Sequence, residues 1–163
     1  MGEKNCDPAS YPLGMDFHLA AKAYSEALSK RLSHLDIERY FYVPVLIDEC
    51  AGKATQQCIA NTLAVDKTLM VRIVNYLSEK GFLERAVNPS DRREHFLLLT
   101  VKGKKALPAI RKGIEEVNRE AWARLSDKQR SELCRSMAVI RETLAALPAR
   151  TDGGNSARNK KQK

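Results

Sequence analysis

The stretch of residues 81–103 constrains what this chain can fold into more than any other part of it. Two short apolar segments, Phe82–Leu83 running into Val87 and His95–Leu99, lie on either side of the polar run Asn88–Asp91. Proline, asparagine, aspartate and serine favour turns, because proline fixes φ and the short polar side chains hydrogen-bond to their own backbone. The pattern therefore predicts a β-hairpin with a polar tip.

The predicted hairpin carries basic side chains next to its tip, since Arg92 and Arg93 follow directly after Asp91. Guanidinium groups on a narrow projection suit an anionic groove, and arginine is the usual occupant of a narrow DNA minor groove. Taken alone, a surface hairpin with solvated charges explains these residues equally well. The segment that precedes the hairpin favours the DNA interpretation.

The sequence upstream of the hairpin predicts a helix-turn-helix. Ala54–Ala60 is typical of a short helix with Thr55 as its N-cap, and Leu63–Val65 is typical of a turn. A second helix follows over Asp66–Lys80, capped by its first residue and ended by Gly81. A helix-turn-helix, a glycine and a basic hairpin in succession form a more specific pattern than any one of them.

The second helix has two contrasting faces. One is apolar at helical spacing and is expected to be core: Met70, Ile73, Val74 and Leu77. The opposite face is polar and basic apart from one valine: Lys67, Thr68, Val71, Arg72 and Asn75. A helix of this kind fits a DNA major groove and reads base edges near its N-terminus. The alternative is an ordinary amphipathic surface helix.

The run from about Ala54 to Gly103 resembles the winged-helix core of the MarR family of bacterial transcriptional regulators. By helix order alone, the resemblance extends loosely over residues 15–147. The motifs that carry it belong to the hairpin and the second helix: Asp91-Arg92-Arg93 with Leu99-Thr100-Val101-Lys102-Gly103, and Asp66-Lys67-Thr68, Arg72, Leu77 and Lys80-Gly81-Phe82.

The chain departs from the family pattern in the helix-turn-helix. Leu69 and Val71 stand where members often have hydroxyl residues, which makes the reading face more apolar. Ala64 stands where the turn often has glycine. Because a positive φ costs a non-glycine residue on the order of 1 kcal/mol, we expect this turn to be shaped differently.

The resemblance implies a mainly α fold with a small β-hairpin wing, in which a winged helix-turn-helix core is flanked by dimerisation helices. We expect a flexible N-terminal arm over residues 1–14, a DNA-binding and dimerisation domain over 15–148, and a disordered basic tail over 149–163. The winged core takes about 38–103, and the dimerisation helices take about 15–35 and 104–147. The implied function is that of a homodimeric repressor on a palindromic operator.

The expected contacts to double-stranded DNA come from both helices and the hairpin. The first helix starts with free N–H groups that bind phosphate, and the second reads phosphates, base edges and thymine methyl groups. The two arginines enter the flanking minor groove, with Asp91 orienting one of them. The candidate residues are Thr55, Gln56, Lys67, Thr68, Leu69, Val71, Arg72, Asp91, Arg92 and Arg93.

The last predicted helix carries the candidate dimer contacts. It begins at a capping box over Ser126–Gln129 and continues with apolar residues in an a/d pattern. A winged core is too small to cover this stripe together with that of the first helix, so we expect dimerisation through Leu133, Met137, Ile140 and Leu144. Packing of these helices as a bundle within one chain is the alternative.

The resemblance further implies a small aromatic or phenolic effector that binds between the dimer helices and the DNA-binding lobe. Tyr24, Tyr40, Phe41 and Tyr42 are the candidate pocket residues. Aromatic residues at helical spacing more often belong to a core, and that interpretation stays open for these four.

Composition and charge exclude several other classes. Lys+Arg number 28 against 20 Asp+Glu, for a net charge of +8, but half of this charge lies in residues 149–163. No apolar run reaches the ~20 residues of a membrane span, and residues 1–16 lack the apolar segment of a signal peptide. These absences predict a cytoplasmic chain with no membrane partner. No catalytic motif is present, so we expect neither an enzyme nor a cofactor.

The cysteines are scattered, and they and the 3 histidines lack metal-ligand spacing. Cys58 and Cys134 fall on predicted helix faces and are expected in the core. Cys6 and Cys50 keep open a thiol-based redox-sensing regulator of the same fold, although neither has a convincing basic neighbour. A winged helix that binds a protein partner in place of DNA is the other alternative.

Overall fold

The computed structural model describes Asp7 and residues 10–89 and 91–148, and at residues 91–93 it describes the backbone alone. The predicted disordered tail, Cys6 and most of the predicted N-terminal arm lie outside the described residues. Among the described residues, no helix has the length and apolar content to cross a bilayer.

The described chain is mainly helical, with one antiparallel pair of strands, as the sequence predicts. Contacts within the chain group into two units, divided between Ala121 and Trp122. A short 3-10 turn at Ser33–Leu35 follows the first helix. In chain order the helices and strands are α1 (Leu13–Arg31), α2 (Tyr42–Glu49), α3 (Gln56–Leu63), α4 (Lys67–Glu79), β1 (Leu83–Asn88), β2 (Asp91–Leu99), α5 (Val101–Trp122) and α6 (Asp127–Ala145).

The core of the first unit collects one apolar face from each of its elements. The predicted stripe of α4 is confirmed: Met70, Val74 and Leu77 have no exposed surface and Ile73 has 4%. Leu28 of α1, Ile59 of α3 and Ile110 of α5 are buried to the same extent. Full burial of such side chains contributes about 1.5–3 kcal/mol each, so this stripe holds α4 in place.

The helix-turn-helix begins and ends close to its predicted limits. Thr55 is the N-cap of α3, and its hydroxyl accepts a hydrogen bond from the Cys58 amide at 3.2 Å. The sequence predicts that Ala54 is helical, but it lies outside α3. Its carbonyl accepts a hydrogen bond from the Leu97 amide at 2.7 Å, and this bond joins the segment before α3 to β2. Helix α3 also runs on to Leu63, which was expected in the turn.

The turn between α3 and α4 is left-handed at Ala64, with φ 51° and ψ 41°. This is the conformation that glycine favours and that costs alanine on the order of 1 kcal/mol. The expectation of a differently shaped turn is therefore wrong: alanine adopts the strained geometry. Burial of Ile59 and Ala60 before the turn and of Met70 after it holds the backbone there.

The hairpin has longer strands and a shorter turn than the sequence predicts. Asn88 and Asp91 are both in strands and pair with each other, with a register irregularity between Val87 and Asn88. The side chain of Asn88 is 9% exposed and donates to Glu94 Oε2 at 2.8 Å, across the ribbon. A satisfied cross-strand hydrogen bond explains why a residue typical of turns lies within β1.

The joint between β2 and α5 explains one of the motifs found in the sequence. The Thr100 hydroxyl donates to the Gly81 carbonyl at 2.6 Å and accepts from the Gly103 amide at 3.1 Å. The Thr100 amide also donates to the Phe82 carbonyl at 3.1 Å. Position 103 has no room for a side chain, because a Cβ there would lie 2.1 Å from the Phe82 carbonyl oxygen. Threonine and glycine at this spacing thus join the base of the hairpin to α5.

The second unit contains α6, and its predicted capping box is confirmed. The Ser126 hydroxyl accepts from the Gln129 amide, and the Gln129 side chain accepts from the Ser126 amide at 2.9 Å. No residue of α6 is buried within the chain. Leu133 is 41% exposed, Met137 43% and Leu144 53%. Most of the apolar stripe of α6 is therefore exposed within one chain.

We predict that Gly103→Ala destabilises the chain by about 1–3 kcal/mol, because the added methyl group overpacks the joint against backbone atoms of Phe82. Chemical denaturation monitored by circular dichroism measures the change. Gly14→Ala is the matched control, since nothing lies within 4 Å of a Cβ at this helical position. It should leave stability unchanged or raise it slightly. Equal stability of Gly103→Ala and wild type would contradict the packing described for this joint.

Candidate nucleic-acid interface

The outward face of α4 is the centre of the candidate site. Asp66 caps the helix, and its carboxylate accepts from the Leu69 amide at 2.8 Å. All the residues predicted for this face are exposed: Lys67, Thr68, Leu69, Val71, Arg72 and Asn75. Leu69 is 37% exposed and Val71 36%, so two large apolar side chains lie among polar and basic ones. The buried stripe on the opposite side explains why the polar residues face outward.

The start of α3 lies beside β2. In addition to the backbone hydrogen bond of Ala54, Thr55 forms an isolated antiparallel bridge with Phe96. Thr55 and Gln56 are half-exposed, so the first turn of α3 reaches the surface. The N–H groups of a first helical turn have no partners within their helix, and they carry a partial positive charge. This turn can therefore receive an anionic group.

One face of the hairpin extends over this helical surface. Residues directly opposite each other in an antiparallel pair lie on the same face of the ribbon. Arg85 pairs with Leu97, Leu83 with Leu99, and Val87 with His95. Leucines at the base of this face are buried in the core, whereas Arg85 and His95 are exposed. The face that packs on the core therefore becomes basic towards the hairpin tip.

A cleft of about 280 Å³ opens where α3, α4 and the hairpin meet. Its apolar floor contains Ala60, Met70 and Leu97, and Glu94 is its acidic lining residue. The other lining residues are polar or basic: Thr55, Gln56, Gln57, Lys67, Arg85 and His95. The structure thus brings together three of the predicted residues, Thr55, Gln56 and Lys67, and adds two that the sequence analysis missed. Strand alternation from Leu83 and Leu97 was the pattern that could have identified Arg85 and His95.

The wing arginines belong to the first residues of β2, whose backbone starts at Asp91. The side chains of Asp91, Arg92 and Arg93 lie outside the described residues, and their contacts with DNA stay predictions.

The C-terminal end of α4 is attached to the loop that follows α1. Lys80 Nζ lies 2.6 Å from Asp36 Oδ2, and the Tyr76 hydroxyl donates to the Asp36 carbonyl at 3.4 Å. Tyr40 packs edge-on against the Tyr76 ring, with 5.5 Å between ring centroids. The hydrogen bond with Asp36 raises the pKa of Lys80 above its usual value. These contacts link α4 to the segment that leads from α1 into the core.

Comparison with solved structures identifies the fold. A mutant of MarR from Escherichia coli, solved in complex with operator DNA, superposes with a TM-score of 0.72 at 25% sequence identity, covering 87% of this chain and 99% of that one. Residues 49–95, which include α3, α4, β1 and the start of β2, match the model of the MarR family. Over these residues the chain carries the helix-turn-helix and hairpin pattern of the MarR family.

Curated relatives match this chain over part of their length. A Thauera aromatica protein named for regulation of the hcr operon is 37% identical over 79 residues, which are 48% of each chain. The multiple antibiotic resistance protein MarR of Escherichia coli strain K12 is 32% identical over 92 residues, which are 56% of this chain and 64% of that protein. This chain spans less than two thirds of the length of these two relatives.

The four aromatic candidates for an effector pocket take different positions in the structure. Phe41 is core, with 3% exposure, and Tyr40 stacks on Tyr76. The Tyr24 hydroxyl donates to Asn118 Oδ1 at 2.9 Å and accepts from the Tyr42 hydroxyl at 3.2 Å. Burial, and then the hydrogen bond to Tyr24, raise the pKa of Tyr42. Tyr24 and Tyr42 are therefore brought together, while Phe41 packs into the core.

The prediction that Cys58 and Cys134 are core residues is wrong, since both are exposed. In α3 the neighbours Ile59 and Ala60 take the inward positions, and α6 has no buried residue. Cys50 is half-buried, and burial raises the pKa of its thiol, with the neighbouring Cys58 and the charge of Glu49 acting in the same direction. A raised pKa disfavours the reactive thiolate form of Cys50.

Metal-ligating side chains do not gather anywhere in the described part of the chain: no group of three or more His, Cys, Asp or Glu residues is placed to hold an ion.

Proposed function

We propose that this MarR-family chain is a sequence-specific regulator that binds double-stranded DNA. The observation that carries the proposal is the exposed face of α4, which presents Lys67 and Arg72. Lys67 also lines the cleft, together with Arg85 and His95 of the hairpin. Such a combination attracts phosphates and also presents side chains to base edges. A regulator of this kind performs no chemical reaction, in agreement with the absence of catalytic motifs from the sequence.

In the proposed complex α4 enters the major groove. Thr68, Leu69 and Val71 face base edges, the leucine and valine side chains meeting thymine methyl groups. Lys67 and Arg72 contact phosphates or guanine. The first turn of α3, with Thr55 and Gln56, binds the phosphate backbone at the edge of the cleft. The hairpin follows the backbone to the adjacent minor groove, where Arg92 and Arg93 insert and Asp91 orients one of them.

The proposed assembly is a homodimer on a palindromic site. A two-fold dimer places its reading helices in successive major grooves, ~34 Å apart. The apolar stripe of α6, formed by Leu133, Met137, Ile140 and Leu144, supports this assembly because it is not buried within the chain. In this assembly the winged core binds DNA. The dimerisation helices set the spacing between the two reading helices.

The proposal also includes regulation: the DNA-bound chain represses transcription, and a small aromatic ligand relieves this repression. Tyr24 and Tyr42 bring two phenol groups of α1 and α2 together, with Tyr42 40% exposed. A ligand that packs against these rings and takes their hydroxyl hydrogen bonds would bias the position of α2, and α2 contacts α3. Such a ligand changes DNA affinity only if it binds one arrangement of the DNA-binding lobes of the dimer more tightly than another arrangement.

We predict that Arg72→Ala weakens DNA binding. If the guanidinium contacts phosphate, the slope of log affinity against log salt concentration falls in magnitude by about one. If it reads guanine, the preference for guanine over other bases at one base pair falls by ~1–3 kcal/mol. Fluorescence anisotropy with a selected duplex over a range of salt concentrations measures both. Arg119→Ala is the matched control, since Arg119 is an exposed arginine of α5 outside this surface. Identical affinity and slope for wild type and Arg72→Ala would remove α4 from the interface. Absence of any binding at low salt would favour a protein partner.

We predict that Ile140→Glu dissociates the dimer, because the apolar stripe of α6 cannot accept a buried charge without a partner for it. Sedimentation velocity at micromolar concentration should give a monomer for this variant and a dimer for wild type. Ser131→Glu is the control, since position 131 lies on the opposite side of α6 and a carboxylate there is near the helix N-terminus. A wild-type monomer that binds one non-palindromic site tightly would contradict the two-fold assembly.

A further inference from the structure

Arg85 of the hairpin makes a direct contact with the reading face of α4. Its Nη2 donates to the Asn75 side-chain oxygen, Oδ1, at 2.7 Å. Both side chains are exposed. Asn75 lies three and four residues after Arg72 and Val71, and residues at these spacings are neighbours on one helix face. The hydrogen bond thus joins the hairpin to the surface that the proposed function assigns to DNA.

The chemistry of arginine determines which way the Asn75 amide points. A guanidinium group has N–H donors and no acceptor, so only the amide oxygen can face it. The Nδ2 group of Asn75 is consequently turned away from Arg85, with two N–H donors directed elsewhere. With one lone pair of its oxygen engaged by Arg85, the Asn75 amide offers DNA chiefly hydrogen-bond donors at this position.

We infer that Arg85 is a positioning residue that sets the base preference of Asn75, an inference that rests on the proposed DNA-binding function. Asparagine reads adenine with both ends of its amide, the oxygen accepting from N6 and the nitrogen donating to N7. The hydrogen bond from Arg85 fixes the direction of this oxygen and so competes with the first of these two contacts. Asn75 therefore favours a base edge that presents acceptors, N7 and O6 of guanine or O4 of thymine, over adenine, to which it keeps only the N7 contact.

The backbone of the hairpin keeps Arg85 in place for this role. Arg85 is paired with Leu97, which is 1% exposed and whose amide is held by the Ala54 carbonyl. The stem of the arginine therefore starts from the part of the ribbon that is fixed to the core, and not from its tip. The Arg85 side chain extends from β1 to the third turn of α4. Through it the hairpin contributes to reading of the major groove, in addition to its contacts with the minor groove.

Selection of binding sites from a random duplex pool tests the inference. Arg85→Met removes the donor and keeps a long side chain, so the Asn75 oxygen becomes available. We expect adenine at one base pair of the selected site to rise at least about fivefold relative to wild type, the lower end of what one bidentate contact discriminates. Arg85→Lys keeps a donor and should retain the wild-type preference. The double variant Asn75→Ala, Arg85→Met should lose the adenine enrichment, because the residue that reads it is gone.

The outcomes separate this inference from the proposed function. If wild type selects no sequence, the proposed function fails and the inference falls with it. If wild type selects a site and Arg85→Met selects the same one, with only a flatter salt slope, then Arg85 contacts phosphate and the inference alone is wrong. Adenine enrichment that persists in the double variant would also overturn it, since Asn75 would not be the reader. Thermal unfolding of each variant, expected to match wild type within a few degrees, confirms that the surface pair is not structural.

Discussion

The candidate interface depends on the attachment of β2 to the chain just before α3. The Leu97 amide donates to the Ala54 carbonyl at 2.7 Å, Thr55 bridges Phe96, and the Leu97 side chain is buried beneath them. A buried backbone hydrogen bond is expensive to leave unmade, so this attachment is rigid. It fixes the distance between the first turn of α3 and the hairpin, and the cleft between them follows from it.

The other end of the hairpin is fixed just as firmly, and by different means. Thr100 closes the base of the ribbon through Gly81 and Gly103, and Lys102 Nζ donates to the Lys80 carbonyl at 2.7 Å. Lys80 itself pairs with Asp36. Helix α4 is therefore held at its C-terminal end by the same residues that start the hairpin and α5, while its buried stripe anchors its length. The segment between α1 and α2 is thus linked to α4 through the contacts of Asp36 with Lys80 and Tyr76.

Sequence reasoning predicted the structural elements that depend on short patterns of neighbouring residues. The caps at Thr55, Asp66 and Ser126 and the core stripe of α4 each depend on spacing within one helix, and all were predicted. The helix-turn-helix and hairpin succession then led to the MarR family. What sequence reasoning missed depends on tertiary contacts: Ala54 pairs with β2, Cys58 turns outward, and Ala64 tolerates a left-handed conformation. Arg85 and His95 were missed because their place in the cleft requires the strand register.

Hydrogen exchange of the full chain, with and without a selected DNA duplex, tests most directly whether this surface is the DNA interface. The proposed function predicts that DNA slows amide exchange in the first turn of α3, over α4 and along the hairpin, where backbone and side chains meet the duplex. Exchange in α6 should be the same in both states, since its partner would be a second copy of the chain. Protection confined to α5 or α6, with α4 and the hairpin unchanged, would contradict the account.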